Sequence, residues 1–362
     1  MDKKIRVLLV SNLYPDKKEP AKGIFVRNIE QSLLMQGFDI ERVVKKNTKS
    51  RLTNLLFYVS FYFEAIYKLL FYRFDIVYLH YISHCAFPVL ITRIFGKKSS
   101  VFCHVHGSDV LPEAGTGFIF SKVKTNLSKI ILKRAKKIIV PSSYYKKVLY
   151  DKFNVGFEKI FISPSGGIDL NIFKPVVNAP KNRSILNIGY VGRLSEDKGI
   201  VDFVNLIAKL KVKFDNLNVV IVGDGPLRGF VEKAKVELAI DYIPSLDQIN
   251  LAEIYQKLDM FIFPSRRESE SLGLVGIEAM ACGTPVVAYQ MAGPKTYIDN
   301  GKSGFLVEPG DIDGIVEVVE HYIDLTAIEK KAISDEALIR SSEFCSEKVR
   351  RNLALFFKRN LL

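Results

Sequence analysis

Cysteine is scarce in this chain of 362 residues, and the four cysteines present show no pairing pattern. Cys85, Cys103, Cys282 and Cys345 are scattered and form no CxxC pair. This usage argues against a disulfide-stabilised secreted domain and fits a reducing cytosol. The N-terminal segment also lacks the long apolar core and the cleavage site of a signal peptide, and its short apolar run predicts a β-strand. We therefore expect a cytoplasmic protein.

Motifs that would identify several other protein classes are also missing. The sequence contains no short internal repeat, no low-complexity tract, no GxGxxG fingerprint and no Walker-type GxxxxGK[ST]. No known nucleic-acid-binding motif occurs, and the aromatic residues lie mainly in apolar runs rather than among arginines. A basic nucleic-acid-binding protein stays open as an alternative because the net charge is +13.

Acidic residues are scarce in the N-terminal half of the chain. Residues 1–180 contain 29 Lys and Arg against 13 Asp and Glu, whereas residues 181–362 contain 23 against 26. Such asymmetry indicates an anionic partner for the first half, either nucleic acid or an anionic membrane surface. The alternative is that the excess comes from lysine-rich, solvated helix faces.

Length and composition favour a folded protein with two α/β domains. Hydrophobic residues make up 48% of the chain and charged residues 25%, which excludes disorder. Short apolar runs alternate with helical stretches, which predicts parallel sheets covered by helices on both faces. The predicted strands are Arg6–Ser11, Asp39–Val44, Asp75–His80, Val101–His106, Lys137–Pro141, Lys159–Ser163, Asn187–Val191, Asn218–Val222, Met260–Pro264, Pro285–Ala288 and Gly304–Val307.

The two series of strands predict two Rossmann-like, doubly wound domains. The Pro-containing stretch Pro175–Pro180 separates the series. We expect an N-terminal domain over residues 1–178 and a C-terminal domain over residues 179–345. Residues 346–362 are expected to form a helix that crosses back to the N-terminal domain.

The segment Leu55–Phe74 is strongly apolar and aromatic, and its length matches a membrane span. Glu64, Lys68 and Arg73 interrupt it, and it runs directly into a predicted strand. We expect a helix buried between the sheet and solvent. An interfacial helix that enters the lipid headgroups is the alternative.

Candidate binding residues follow the predicted strands of the second half, where doubly wound sheets bind ligands. Arg193 and Lys198 follow the first of these strands, and their charges suit a diphosphate. Gly223 follows the next strand and permits a close approach of a ligand to the backbone, although a tight turn explains it equally well.

Glu270 and Glu278 flank the predicted start of a helix near Leu272. The N–H groups at this start, around Leu272, Gly273 and Leu274, form an anion site that suits phosphate. Acceptor-only carboxylates suit the hydroxyl groups of a hexose or a ribose. A solvated helix face is the alternative, but the surrounding residues are apolar and small.

The stretch from Phe263 to Pro285 closely resembles the E-x7-E motif of the family 4 glycosyltransferases, retaining enzymes of the GT-B fold. The resemblance covers most of the chain and implies an α/β GT-B fold, with two Rossmann-like domains that face each other across an interdomain cleft. It implies that Glu270 contacts the donor sugar, that Glu278 contacts the ribose, and that Arg193 and Lys198 bind the diphosphate. The segment from Asp241 to Tyr255 resembles the one that covers the base.

The N-terminal half resembles the family more loosely. His104–Asp109 resembles the motif H-G-x-D, which implies that His106 lies near the transferred sugar and that Asp109 shapes the loop. A hydrogen-bonded structural histidine is the alternative. The loop Pro15–Phe25 occupies the place of a Gly-Gly pair that approaches the donor phosphate and the acceptor, and of that pair Gly23 remains. The lysines of this loop, Lys17, Lys18 and Lys22, face either an acceptor phosphate or water.

No metal and no cofactor are expected. A metal site built from His80, His84, His104 and His106 is conceivable, but their spacing matches no recognised ligand motif, and related enzymes generally work without a bound metal.

The resemblance implies a retaining glycosyltransferase that moves a sugar from a nucleotide-sugar substrate to a hydroxyl group of a glycan or lipid-linked acceptor in cell-surface polysaccharide synthesis. A UDP-sugar is favoured as donor, with GDP-mannose next, on family frequency. The basic N-terminal domain is expected to contact the anionic inner leaflet of the membrane, and no nucleic acid is expected as partner. A sugar-nucleotide epimerase of the GT-B fold is a further alternative.

Overall fold

The computed structural model describes residues 4–17, 19, 22–48, 50–97, 99–111, 117–176 and 185–361. The contacts divide the chain into a first unit, up to Gly166 and again from Glu347 onward, and a second unit, Gly167–Ser346. The boundary that we predicted after residue 178 lies in 177–184, outside the described residues. The contacts assign Gly167–Val176 to the second unit, because Ile168 exchanges backbone hydrogen bonds with Phe344 and Ser346.

The first unit contains a parallel sheet with the strand order β2-β1-β3-β4-β5-β6. Its strands are β1 (Arg6–Ser11), β2 (Asp39–Val44), β3 (Ile76–His80), β4 (Val101–His104), β5 (Lys137–Val140) and β6 (Ile160–Ile162). The helices between them are α1 (Ile24–Met35), α2 (Arg51–Phe71), α3 (Ile82–Ile94), α4 (Phe118–Arg134) and α5 (Ser143–Phe153).

Both faces of this first sheet are covered by helices. Leu8 and Val10 of β1 pack with buried side chains of α2, α3, α4 and α5. Val7 and Leu9 point to the opposite face and pack with α1. Covered faces require apolar side chains on both sides of each central strand, which explains why the strands read as continuous apolar runs.

The second unit repeats this architecture with the strand order β12-β11-β10-β7-β8-β9. Its strands are β7 (Leu186–Val191), β8 (Leu217–Val222), β9 (Asp241–Ile243), β10 (Met260–Phe263), β11 (Val286–Tyr289) and β12 (Gly304–Val307). Its helices are α6 (Ile200–Lys213), α7 (Arg228–Glu237), α8 (Gln248–Lys257), α9 (Leu274–Ala281), α10 (Ile312–Asp324) and α11 (Ala327–Ser342). All strand pairs are parallel.

The C-terminal helix α12 (Ser346–Arg359) packs within the first unit. Leu353, Ala354 and Phe357 are buried in the same cluster as Val7 and Leu9. Together with α1, α12 therefore covers the face of the first sheet opposite α2–α5.

The predicted strands agree with the observed ones to within two residues at each end. Arg6–Ser11, Asp39–Val44 and Gly304–Val307 match at both ends, whereas the strand predicted to reach His106 ends at His104. The strand Asp241–Ile243 was not predicted, because three residues with one charged and one polar side chain produce no apolar run.

Helix α2 packs on the sheet through a narrow face and leaves seven of its apolar side chains more than half exposed. Phe61, Ala65 and Leu69 are its buried residues, and Ser50 Oγ caps its start by accepting a hydrogen bond from the Thr53 N–H. The expected helix is present, but it is buried only along this narrow face. None of the helices in the described part of the chain has the length and apolarity needed to cross a membrane.

Candidate active site

The candidate donor-binding residues lie at the switch point of the second sheet. β7 pairs with β8 on one side and with β10 on the other. After β7 the chain continues towards the edge strand β9, whereas β10 belongs to the half of the sheet that ends at β12. The loops after β7 and β10 therefore diverge, which opens a crevice at the carboxyl ends of these strands. Arg193 and Lys198 lie on the first loop, and Glu270 lies on the second.

Lys198 and Glu270, which are far apart in sequence, form an ion pair at this crevice. Lys198 Nζ donates a hydrogen bond to Glu270 Oε2 at 2.5 Å, and Ser265 Oγ donates to the same oxygen at 3.1 Å. The two charged side chains are only 18% and 10% exposed. The structure thus brings together the two residues that the family resemblance assigns to the diphosphate and to the donor sugar.

Arg193 occupies the same loop as Lys198, and its guanidinium is exposed. The loop backbone around it is fixed by Tyr190, whose hydroxyl donates to the Arg193 carbonyl at 2.9 Å. A fixed backbone with an exposed guanidinium suits the recognition of a phosphate, because the planar fork of donors binds two oxygens at once.

Two glycines permit the close packing of the loops around this crevice. Gly223 has φ 143°, and a Cβ at this position would lie 1.9 Å from the Gly192 carbonyl oxygen. Gly273 has φ 76°, and a Cβ there would lie 2.4 Å from the ring of Phe263. The turns after β8 and before α9 therefore have no room for a larger residue.

Gly223→Ala should lower the free energy of unfolding by about 1–3 kcal/mol, since the added methyl group meets the Gly192 carbonyl and the backbone angle disfavours alanine. Gly229 in α7 is the matched control, because nothing lies within 4 Å of a Cβ built there. Gly229→Ala should raise the free energy of unfolding by up to about 1 kcal/mol. Urea unfolding measures both; equal changes would contradict the packing described for Gly223.

Helix α9 begins at Leu274, two residues after the predicted start, with Gly273 as N-cap. No side chain caps this end, and its first turn contains no acidic residue. The first N–H groups of a helix have no partners within the helix and carry a partial positive charge, so this end suits an anion. Leu272 is 1% exposed and packs in the core, so it can reach a ligand only through its backbone.

Glu278 lies within α9, and its side chain is almost completely buried. We predicted that this residue follows the helix start, and because α9 starts at Leu274 it is the fifth residue of the helix. Burial raises the pKa of Glu278 to about 7, and the hydrogen bond from the Tyr255 hydroxyl, at 3.3 Å, opposes this shift. Glu278 therefore titrates near neutral pH.

Three residues at this crevice have roles that the sequence did not reveal. Ser265 donates to Glu270, and Tyr255, expected in the segment that covers the base, is fully buried and donates to Glu278. Tyr297 donates to the Gly273 carbonyl at 3.2 Å and so fixes the start of α9. No spacing pattern could have found the contacts of Tyr255 and Tyr297, because each joins residues more than 20 positions apart in the sequence.

In the first unit, Asp109 fixes the loop that follows β4. Its carboxylate accepts hydrogen bonds from the backbone N–H groups of His106 at 3.0 Å, Gly107 at 2.9 Å and Ile82 at 3.3 Å. Burial raises the pKa of Asp109 to about 6, while these backbone hydrogen bonds lower it. The carboxylate thereby ties the loop that carries His106 to the start of α3.

His106 belongs to a stack of three imidazole rings. Its Nε2 lies 3.0 Å from Nδ1 of His80, and its ring stacks on that of His104 with centroids 4.5 Å apart. Burial lowers the pKa of His106 well below its ordinary value, and the neighbouring imidazoles His104 and His80 lower it further. His106 is therefore a neutral hydrogen-bonding group at neutral pH.

The same three histidines are the residues that could hold a metal ion in the described part of the first unit. Ring nitrogens of His80, His104 and His106 lie within 4.8 Å of one another. The nitrogens that face each other in His80 and His106 are already hydrogen-bonded, and Tyr78 hydrogen-bonds to His104 Nδ1 at 2.5 Å. His84 instead contacts Ser83. That the protein works without a metal stays a prediction.

The loop between β1 and α1 carries the remaining predicted residues. Gly23 is the N-cap of α1 with φ 71°, and Lys22 forms an ion pair with Glu19 at 2.8 Å. Lys17 is exposed, whereas Lys18 lies outside the described residues. Lys22 is therefore partly neutralised, and its predicted role towards an acceptor phosphate stays a prediction.

Comparisons with solved structures agree with this fold. Sucrose-phosphate synthase from Thermosynechococcus elongatus is 20% identical with a TM-score of 0.78, and the match covers 98% of this chain and 99% of that one. The Anabaena protein HepE in complex with UDP is 18% identical with a TM-score of 0.70, and the match covers 99% of this chain and 100% of the other. The predicted α/β GT-B fold with two doubly wound domains is thereby confirmed.

Sequence comparisons identify the family. N-acetyl-alpha-D-glucosaminyl L-malate synthase from Bacillus anthracis is 26% identical over 67% of this chain, and the match spans 64% of that relative's own length. The family described as Glycosyltransferase Family 4 matches residues 2–171, and the family Glycosyl transferases group 1 matches residues 173–337. The chain therefore belongs to the family 4 glycosyltransferases.

Proposed function

We propose that this protein is a retaining glycosyltransferase that transfers a sugar from a nucleoside-diphosphate sugar to an acceptor hydroxyl. The observation that carries the proposal is the arrangement at the switch point of the second sheet. There Lys198 and Glu270 meet as an ion pair at the carboxyl ends of the strands. Such a site offers positive charge for a diphosphate and a carboxylate for sugar hydroxyl groups.

The donor diphosphate is bound by Arg193, Lys198 and the N-terminus of α9. During transfer, the bond between the anomeric carbon and the diphosphate breaks while a bond to the acceptor oxygen forms. The departing diphosphate gains negative charge, and cations and N–H groups that are already in place stabilise it at little cost of reorganisation. Without the donor, the Lys198 ammonium is paired with the Glu270 carboxylate, and the diphosphate competes with this carboxylate for it.

The two glutamates hold different parts of the donor. Glu270 accepts hydrogen bonds from the transferred sugar and Glu278 accepts them from the ribose, as the family motif implies. The backbones of Gly223, Gly273 and Leu274 line the path of the diphosphate. In the first unit, His106 acts as a neutral hydrogen-bonding group towards the transferred sugar, and no metal takes part.

A UDP-sugar is the proposed donor, and a glycan or lipid-linked acceptor in cell-surface polysaccharide synthesis is the proposed acceptor. HepE has the same fold, and its structure contains bound UDP. This supports the choice of uridine over guanosine. We also propose that the protein works in the cytoplasm, peripherally on the inner leaflet of the membrane, where a lipid-linked acceptor is presented.

Thermal unfolding in the presence of UDP or GDP tests the donor site. UDP should raise the melting temperature more than GDP, because a ligand that binds only the folded state stabilises it by mass action. Arg193→Gln should weaken UDP binding by about tenfold, through the loss of a charge-assisted contact. Arg351→Gln, an exposed arginine on α12, is the matched control and should leave UDP binding unchanged.

Transfer is then measured with a panel of UDP-sugars by following the release of UDP. If no nucleotide stabilises the chain, or if both arginine variants behave alike, the proposed donor site is wrong. If UDP binds at the predicted residues but a sugar nucleotide is converted to its epimer with no transfer, the epimerase alternative replaces the transferase.

A further inference from the structure

Helix α2 exposes a broad, mainly apolar surface to solvent. The side chains of Leu52, Leu55, Leu56, Val59, Phe63, Tyr67 and Phe71 are each more than half exposed. At 3.6 residues per turn they occupy an arc of about 160°, on the side opposite the buried Phe61, Ala65 and Leu69. We call these seven residues the α2 outer face. Soluble monomers rarely leave so many neighbouring apolar side chains in water.

The neighbouring helices extend this surface. α2, α3 and α4 lie in one layer on the same face of the first sheet, since their buried side chains share one cluster. Phe87 of α3 is 43% exposed, and its ring contacts Tyr62 of α2 with centroids 5.3 Å apart. On α4, Ile119 and Val123 are 79% and 52% exposed. The solvent side of the layer therefore carries apolar side chains on three helices.

The layer also carries positive charge. The sequence of α4 contains no acidic residue, and Lys129 and Lys133 lie on its exposed side with Ile119 and Val123. Residues 51–134 contain 11 Lys and Arg against 4 Asp and Glu. Of these acids, Glu64 is neutralised by Lys68 at 3.3 Å, and Asp109 is buried. The exposed surface of the layer is thus both apolar and basic.

We propose that the α2 outer face and the basic face of α4 dock the first unit onto an anionic lipid bilayer, with α2 lying in the plane of the interface. Apolar side chains enter the boundary between headgroups and acyl chains, while lysines stay among the phosphates. This inference rests on the lipid-linked acceptor in the proposed function, and it names the surface by which the enzyme reaches that acceptor.

A lipid surface fits these observations better than a second copy of the chain. A two-fold dimer would place this patch against the same patch of the other copy, so two surfaces with an excess of Lys and Arg would meet. A bilayer of anionic lipid supplies the missing negative charge and an apolar phase in one partner.

Co-sedimentation of the full chain with lipid vesicles tests the proposal. Binding to vesicles of phosphatidylglycerol mixed with phosphatidylcholine should exceed binding to phosphatidylcholine alone. Phe63→Glu should lower the affinity about tenfold or more, because a fully inserted phenylalanine is lost. Val212→Glu is the matched control, since Val212 on α6 of the second unit is an apolar residue even more exposed than Phe63, and it should leave binding unchanged.

Lysine variants test the electrostatic part. The double variant Lys129→Gln with Lys133→Gln should lose about fivefold in affinity per lysine. The control double variant, Lys233→Gln with Lys235→Gln on exposed positions of α7, should bind like the native chain. UDP binding, measured without vesicles, should be the same in all these variants, so failure of membrane docking is distinguishable from failure of the donor site.

Three results would overturn the proposal. The first is equal binding to anionic and neutral vesicles, or none to either. The second is an equal effect of Phe63→Glu and Val212→Glu. The third is a native dimer in light scattering that becomes monomeric in Phe63→Glu without any vesicle binding, since the α2 outer face would then serve self-association.

Discussion

Glu270→Gln should lower the rate of sugar transfer by about a hundredfold or more, while UDP binds at least as tightly as it does to the native chain. Two roles of the Glu270 carboxylate explain why transfer should slow while UDP binding does not weaken. In the variant, the hydroxyl groups of the transferred sugar lose the carboxylate as their hydrogen-bond acceptor. Its negative charge also competes with a diphosphate for Lys198, so an uncharged amide leaves the ammonium fully available to UDP.

Glu268→Gln is the matched control, because Glu268 lies in the same loop and is exposed. It should change neither transfer nor UDP affinity. In Lys198→Met, by contrast, the affinity for UDP should fall together with the rate of transfer. Calorimetric titration with UDP and a transfer assay separate the two effects. Weaker UDP binding in Glu270→Gln, or full transfer activity, would show that the ion pair has only a structural role.

Much of the fold could be predicted because parallel sheets with two covered faces produce apolar runs that are easy to locate. β1, β2 and β12 were predicted at both ends. The edge strand Asp241–Ile243 could not be, because an edge strand needs few apolar side chains. The start of α9 was misplaced by two residues, since Gly273 caps the helix through its backbone and leaves no signature in its side chain.

The residues of the donor site could be named from their order in the sequence, but their interactions could not. Lys198 and Glu270 were assigned to different parts of the donor, and their pairing depends on the neighbouring positions of β7 and β10 in the sheet. The burial of Glu278 against Tyr255 likewise depends on the packing of α8 on α9.

The side of helix α2 that faces the sheet could not be predicted from the sequence. It is apolar around most of its circumference, so periodicity gave no indication of which side faces the sheet. Only the three-dimensional arrangement separates the buried Phe61, Ala65 and Leu69 from the exposed Phe63 and Tyr67.

Glu278→Gln should make the protein more stable than the native chain at pH 8, by up to about 3 kcal/mol. The pKa of Glu278 is raised from 4.5 to about 7 in the folded state. Between these values the folded state keeps a proton that the unfolded state has lost. The contribution of Glu278 to stability therefore falls as the pH rises through this window, and glutamine, which stays uncharged, removes that loss.

Urea unfolding at pH 5 and pH 8 measures this effect as the difference between variant and native chain, in which the other titrating groups cancel. Glu237→Gln, an exposed position on α7, is the control and should show no such difference between the two pH values. A Glu278→Gln variant that is less stable than the native chain at pH 8 would contradict the conclusion that burial disfavours the charged form of this carboxyl group.

The same substitution should weaken UDP binding at pH 8 by about tenfold, because a hydrogen bond from ribose to a carboxylate is stronger than one to a neutral amide. The ratio of native to variant affinity should shrink as the pH falls below about 7, since Glu278 of the native chain then becomes protonated. A gain in stability together with a loss of affinity would mean that the chain keeps a carboxylate at this buried position for its ligand, at the expense of its fold. Unchanged affinity at pH 8 would instead remove Glu278 from the nucleotide site and leave the Tyr255 contact as its role.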